Sequence, residues 1–324
     1  VERLELQQAA EPKGETVRSI AAKYEAERMP SRKSTARVYR SYLNNHVLPS
    51  WGEKAIDALQ PRPVELWLRT LPLSPKSKTH VRSLMHGLVE FSMWAGLLEV
   101  TRNPMSLVKN SGATRKTRKP RSLTTEQFHE LLKGLREPFG TMALVSVCLG
   151  LRISETIGLQ WGDVDWLGSK LSVRRGVVER VVDDVKTTGS ARTFDISGEL
   201  LERLQARRRD SDFAEPGDWI FASPYKLGRL PYSYTRICLE LQAAAKAAGI
   251  GHIGTHAFRH TYRSWLDAVG TPIAVQQKMM RHADIRTTFN IYGDVVTDEM
   301  SVAGLRVSEL AFTGNGVQTE RKAS

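Results

Sequence analysis

Lys278-Met279-Met280-Arg281-His282-Ala283-Asp284-Ile285-Arg286-Thr287-Thr288-Phe289-Asn290-Ile291-Tyr292-Gly293 places a tyrosine ten residues after a histidine. Thr255-His256-Ala257-Phe258-Arg259-His260-Thr261 lies upstream of it. Lys186 sits in the Thr/Gly/Ser-rich turn Lys186-Thr187-Thr188-Gly189-Ser190, and Gly150-Leu151-Arg152-Ile153-Ser154-Glu155 comes first. Together these supply every group needed to break and remake a phosphodiester without metal or ATP. An in-line transition state gathers negative charge on the non-bridging oxygens, and a permanently charged, planar guanidinium matches that geometry. Arg152 and Arg259 are the candidates. Tyr292 is the candidate nucleophile, but a free phenol titrates near pH ~10, so it needs a cationic field and a base, for which His256 is the natural choice. Lys186 can protonate the leaving 5′ oxygen, and His282 can donate to the phosphate. Glu155, one turn beyond Arg152, is better placed to orient a cation or histidine than to react.

In this order and spacing the elements resemble the active site of the tyrosine recombinases, the phage-integrase family. The family pattern H-x-[LF]-R-H-[ST] selects His256/Arg259 over the second H-x-x-R pair, His260/Arg263, and makes His260 a packed, hydrogen-bonded histidine. The resemblance covers nearly the whole chain. It implies a mainly α fold with a small antiparallel β-sheet: a helical N-terminal core-binding domain, then a mixed α/β catalytic domain. It also implies that Arg152, Lys186, His256, Arg259 and His282 surround the scissile phosphate while Tyr292 forms a 3′-phosphotyrosine. Such a link keeps the bond energy, so no cofactor is expected. The implied partners are double-stranded DNA with paired inverted-repeat core sites, three further copies in a homotetramer that exchanges strands through a Holliday junction, and an accessory directionality factor. Met300, Val302, Leu305 and Leu310 would form a C-terminal segment docking on a neighbouring protomer, although Gly304 weakens a helix there. Arg281 departs from the family by replacing a common glycine. Gly251-His252-Ile253-Gly254 makes the approach to the His256 helix flexible. Residues 1–15 are too short for an arm-site-binding domain, which either is not part of this protein or preceded Val1.

Bulk composition agrees. A chain of 324 residues suits two domains, and 41% hydrophobic with 25% charged residues is a globular composition. The net charge of +12 calls for a polyanionic partner. Arg115-Lys116-Thr117-Arg118-Lys119-Pro120-Arg121 concentrates five cations without an anion, as a phosphate-contacting segment would. Cys148, in an apolar run, reads as core packing, and Cys238 belongs to no motif, so a reducing compartment is expected: the cytoplasm of a bacterial or phage-infected cell, at the nucleoid. The apolar run from Met142 to Leu151 is too short to span a bilayer, so no membrane partner is expected.

The chain divides into five segments: a flexible N-terminal segment (1–15), a helical core DNA-binding domain (16–110), a basic linker (111–121), a catalytic domain (122–311) and a flexible tail (312–324). In the first domain Ser34 caps a helix with Val38, Tyr42, Leu43 and Val47 on one face and Arg32, Lys33, Arg37 and Arg40 on the other, and Pro49 stops it. Ser74-Pro75 starts a second helix carrying Val81, Leu84, Met85 and Leu88, with Lys76, Lys78, His80 and Arg82 near its start. The candidate DNA contacts are Arg32, Lys33, Arg37, Arg40, Lys76, Lys78, Arg82, Arg115, Lys116, Arg118, Lys119 and Arg121. In the second domain Thr124-Thr125-Glu126-Gln127 is a capping box, and a second helix ends near Gly150. Leu171–Val173, Val177–Val182 and Arg192–Ile196 read as short antiparallel strands. Helices return at Leu200–Arg208 and Leu239–Ala248.

Four other readings compete. A type IB topoisomerase uses similar chemistry as a monomer, and a DNA-binding regulator would keep the fold without the reaction. His256 and His260 are spaced to hold zinc on a helix, but Ala257 stands where a zincin has its glutamate, so no metal is expected. Asp163-Val164-Asp165, which could serve a metal nuclease, reads as a structural turn.

Overall fold

The computed structural model describes residues 14–110, 121–184 and 192–280. The expectations for Lys186, His282, Tyr292, the linker cations Arg115, Lys116, Arg118 and Lys119, and the C-terminal docking segment lie outside these residues. The chain divides into two compact units, Val1–Arg118 and Lys119–Ser324.

The described part of the first unit is helical. Thr16 caps α1 (Val17–Glu27) by accepting the Ser19 N–H at 3.1 Å. Next come α2 (Lys33–Tyr42), a π turn (Leu43–Val47) and α3 (Leu48–Trp51). Two sequence expectations fail here. The cap position is Arg32, with Ser34 already inside the helix, and Pro49 does not stop the chain. Proline cannot donate an amide hydrogen bond and crowds the carbonyl four residues back. The π turn resolves both problems by widening the preceding turn, with the Leu48 N–H reaching back to the Leu43 carbonyl. Val38 is exposed while Leu43 and Val47 are buried, because at ~3.6 residues per turn Leu43 already stands about 140° round the helix from Val38. After α4 (Pro61–Thr70), α5 (Pro75–Trp94) starts as its sequence predicts: Ser74 accepts the Ser77 N–H at 3.1 Å. Val81, Leu84, Met85 and Leu88 then face a core shared with Val17, Ile20, Val64 and Leu68.

In the second unit, Thr124 and Gln127 close the capping box of α6 (Thr125–Gly134). The helix α7 (Phe139–Cys148) comes next, then the single-turn α8 (Ile153–Thr156). Cys148 is exposed rather than core, because Val145, Ser146 and Val147 take the buried positions of that last turn. The strands are β1 (Val164–Asp165), β2 (Lys170–Val173), β3 (Arg175–Val178), β4 (Val181–Asp184) and β5 (Arg192–Asp195). They form an antiparallel sheet β1-β2-β5 and a separate hairpin β3-β4. The stretch Val177–Val182 is therefore two strand ends around a tip, not one strand. Glu179 and Arg180 turn at φ 53° and 66°, without the glycine or asparagine that normally announces such a turn. Asp163-Val164-Asp165 leaves its 3₁₀ turn directly into β1, whose pairing needs only two residues. α9 (Gly198–Arg209), α10 (Tyr234–Ala247), α11 (His256–Ala268) and α12 (Ile273–Met280) complete the described residues. The fold is mostly helical with small antiparallel sheets, as expected.

The turn at the end of α7 sets the approach of α11. Just past the end of α7, Gly150 takes φ +60° while the Leu151 N–H returns to the Ser146 carbonyl at 3.2 Å. A Cβ at Gly150 would stand 2.2 Å from the Tyr262 ring of α11. Gly150 thus lets the chain reverse and lets α11 approach closely. Gly150→Ala should cost about 2 kcal/mol through strain and overpacking, read as a lower urea midpoint with an unchanged slope.

Candidate active site

The site is built where α11 meets the Gly150 turn. Ala257, Phe258, Thr261, Tyr262 and Leu266 line the buried face of α11. The helix is fastened at Leu123, whose N–H donates to Thr261 Oγ1 at 2.9 Å and whose carbonyl accepts Trp265 Nε1 at 3.3 Å. The loop before α11 is tethered too, contrary to the flexibility expected of its glycines. Arg121 donates to the carbonyls of Ile250 and His252, and Gln242 donates to that of Ile253. Side-chain donors from outside the loop hold its backbone, which its own composition does not reveal.

Arg259 is 2% exposed. Its Nη1 donates to the Gly150 carbonyl at 2.5 Å and its Nη2 to the Met280 carbonyl at the end of α12. One guanidinium therefore ties α11 to the start of the Arg152 loop and to the helix that precedes His282 in the sequence. Arg152 caps α8 and keeps 38% of its side chain exposed. Glu155, nearly buried, accepts Arg152 Nη1 at 2.9 Å with one oxygen and the Arg152 N–H at 2.8 Å with the other. A carboxylate held this way cannot swing out to react. It fixes one side of a guanidinium whose remainder faces outward.

His256 stands at the first position of α11. Its outer edge meets solvent, yet the ring loses enough water to the surrounding protein that burial lowers its pKa, with the cations Arg259 and Arg152 pushing the same way. It is neutral at physiological pH and able to accept a proton. His260 packs edge-on against it, with ring centroids 4.8 Å apart and planes at 85°. Burial, then His256, Arg259 and Arg263, push His260 down to about 4.

The structure thus brings Arg152, Glu155, His256 and Arg259 together. Among the DNA-contact candidates, Lys33, Arg37, Arg40 and Lys76 are exposed, with Arg40 paired to Glu25. Three others are engaged with the backbone of their own unit: Lys78 donates to the Arg69 carbonyl at 2.8 Å, Arg82 to that of Val108 at 2.5 Å, and Arg121 to that of His252 at 3.0 Å. Arg32 is half-buried at the cap of α2. Sequence reasoning missed Leu123, Thr261 and Trp265 as the fastening of α11; only the position of Thr261 inside the His256–Thr261 motif hinted at it. Among the described residues no cluster of His, Cys, Asp and Glu could hold a metal ion, and no helix is long and apolar enough to cross a membrane.

A model of the phage integrase family matches residues 121–299. The chain is 24% identical over 255 residues to the prophage phiRv2 integrase of Mycobacterium tuberculosis (strain ATCC 25618 / H37Rv), a match that spans 76% of this chain and 66% of that relative. It is 23% identical over 306 residues to a XerC-like tyrosine recombinase of Caldanaerobacter subterraneus, covering 84% of this chain and 76% of that protein. Among solved structures it resembles the Tn1549 transposon integrase in complex with transposon right end DNA. There the TM-score is 0.76 at 19% identity, covering 91% of this chain and 100% of the other. A lambda integrase tetramer bound to a Holliday junction shares the fold at a TM-score of 0.66 and 16% identity, covering 86% and 78%.

The depressed histidine gives a signed prediction for stability. Unfolded, His260 titrates near pH ~6.5; folded, it titrates at about 4. Above the first value neither state is charged and stability is at its plateau. Between the two, the unfolded chain takes up the proton first and the native state loses ground. Denaturant midpoints of His260→Asn should fall less steeply than wild type between pH 6.5 and 4. Parallel curves would show that the ring is not held neutral.

Proposed function

Because the chain belongs to the phage integrase family, we propose that it is a site-specific DNA recombinase that cuts and rejoins strands through a tyrosine-linked intermediate. The observation that carries this reading is the assembly of Arg152, held by Glu155, with neutral His256 and the anchored Arg259 at one turn of the second unit. His282 and Tyr292 come later in the sequence at the family's spacing.

Tyr292 Oη attacks the scissile phosphorus and its proton passes to His256. As the new P–O bond forms, the bond from phosphorus to the 5′ oxygen breaks. Lys186 protonates that oxygen, so it leaves as a hydroxyl. Arg152 and Arg259 offset charge developing on the non-bridging oxygens, and His282 donates a further hydrogen bond to them. The product is a 3′-phosphotyrosine and a free 5′ hydroxyl. A 5′ hydroxyl from a second duplex reverses each step, with Tyr292 as the leaving group. The family relation supports the finer picture: paired inverted-repeat core sites, a homotetramer passing through a Holliday junction, the segment containing Met300, Val302, Leu305 and Leu310 docking on a neighbour, and an accessory directionality factor. Lys33, Arg37, Arg40 and Lys76, with the linker cations, would carry the phosphate backbone.

Covalent capture tests this directly. Nicked genomic DNA is incubated with protein, denatured, and the protein-linked strands are sequenced. Wild type should yield adducts at a recurring inverted-repeat site, Tyr292→Phe should yield none while still binding, and Arg152→Ala should form them about 10²–10³ times more slowly. Adducts that persist in Tyr292→Phe would remove Tyr292 as nucleophile.

Affinity should also fall steeply with salt, because each neutralised phosphate releases counterions. Six to ten phosphate contacts imply a loss of roughly 10³–10⁵ between 50 and 200 mM. A flat response, read by fluorescence anisotropy, would show that the basic segments do not contact the backbone.

A further inference from the structure

Asp163, in the 3₁₀ turn that follows α8, is a buried carboxylate with 1% of its side chain exposed. Arg175 meets it as a fork: Nη1 to Oδ2 at 2.6 Å and Nη2 to Oδ1 at 3.2 Å. A buried carboxylate is costly unless paired, and the two-pronged geometry fixes direction as well as charge. Both partners then reach the segment just after α8. Asp163 Oδ2 also accepts the Gln160 N–H at 2.9 Å, and Arg175 Nη1 also donates to the Gly158 carbonyl at 3.3 Å. Gly158 in turn donates its N–H to the Glu155 carbonyl at 3.1 Å.

The backbones touch along the same line. A Cβ at Gly158 would stand 2.9 Å from the Arg175 carbonyl oxygen, and β3 packs on α8. At the other end of that single turn stands Arg152, whose carbonyl accepts the Thr156 N–H at 3.0 Å. A helix of four residues has too few internal bonds to hold its own orientation. Its direction is set by what grips its two ends: Glu155 with Arg152 at the start, and the Arg175–Asp163 fork just past the finish.

We propose that Arg175 and Asp163 are a positioning pair for Arg152: their fork fixes α8 against β3 and so determines where the Arg152 guanidinium stands relative to the scissile phosphate. Neither residue touches DNA. The pair acts through Arg152, and the proposal rests on the recombinase reading. Its signature comes from charge. A methylphosphonate diester carries a methyl group in place of one non-bridging oxygen and is neutral. Cleaving it asks much less of the cations at the phosphate, so displacing Arg152 should matter much less.

The test uses the full chain and a nicked duplex containing the captured cleavage site, with either the ordinary diester or a methylphosphonate at the scissile position. On the ordinary diester Arg175→Gln should form the covalent adduct about 100-fold more slowly, the scale of a misplaced catalytic group. Most of that loss should disappear on the methylphosphonate, as it should for Arg152→Ala run beside it. Arg175→Lys keeps the cation but not the fork, and should show a smaller loss with the same dependence on substrate. It decides the matter if Arg175→Gln does not fold, which thermal melting and DNA binding report. An equal loss on both diesters in a folded variant, or no loss on either, overturns the positioning role. Failure of wild type to form any adduct on the ordinary diester would instead sink the recombinase reading itself.

Discussion

Burying an arginine is among the more expensive choices a fold can make, and the second unit makes it at Arg259. Stripping water from a guanidinium costs several kcal/mol unless its donors are met by acceptors in the right directions. Here the carbonyls of Gly150 and Met280 meet them. Both acceptors are backbone carbonyls, one in the turn just past α7 and one at Met280 of α12. One side chain therefore joins that turn to α12 and delivers a fixed positive charge beside Arg152. The positive φ at Gly150 and the closeness of Tyr262 are what make that meeting possible.

The electrostatics of the site come from the same arrangement. Burial does most to lower both His256 and His260, and neighbouring cations push the same way: Arg259 and Arg152 on His256, and Arg259 and Arg263 on His260. Glu155 offsets only part of this, because its carboxylate is committed to Arg152. The site is left with unspent positive potential and a neutral base. A phosphodiester is the complement: its negative charge would relieve the repulsion between the arginines, and its arrival would raise the basicity of His256 when a proton acceptor is needed. A neutral or cationic ligand would gain nothing from this geometry.

Much of this could be read in the sequence, for physical reasons that differ from element to element. Ser74-Pro75 and Thr124 to Gln127 announce helix starts because capping is local chemistry. Arg152, His256 and Arg259 could be named because their order and spacing resemble the family's motifs, and their side chains suit a phosphodiester. Most of the misses are non-local or compensated. Pro49 reads as a stop, and the π turn just before it cancels it. Glu179 and Arg180 hold a left-handed tip that neither residue prefers; the pairing of β3 with β4 imposes it. The glycine-rich loop before His256 reads as loose until Arg121, 129 residues from Ile250 in the chain, is seen to bond its carbonyls. Cys148 reads as core from its apolar neighbours, but a helix has an outside even within a hydrophobic run.

Arginine explains why charge alone misleads about where DNA would lie. The net charge of +12 points to a polyanion, but counting cations treats them as equivalent. Arg121, Arg82 and Lys78 donate to backbone carbonyls, and Arg175 to a buried carboxylate. Their N–H groups hold the fold, and redirecting them to phosphate would break the bonds that fix these loops. Arg121, Arg82 and Lys78 still contribute positive potential, because a hydrogen bond to a neutral carbonyl leaves the charge in place, whereas Asp163 offsets that of Arg175. Long-range attraction is therefore set by nearly all the cations, whereas the contacts that release counterions are restricted to those whose donors face solvent. Steering and grip are thus divided unequally among the cations.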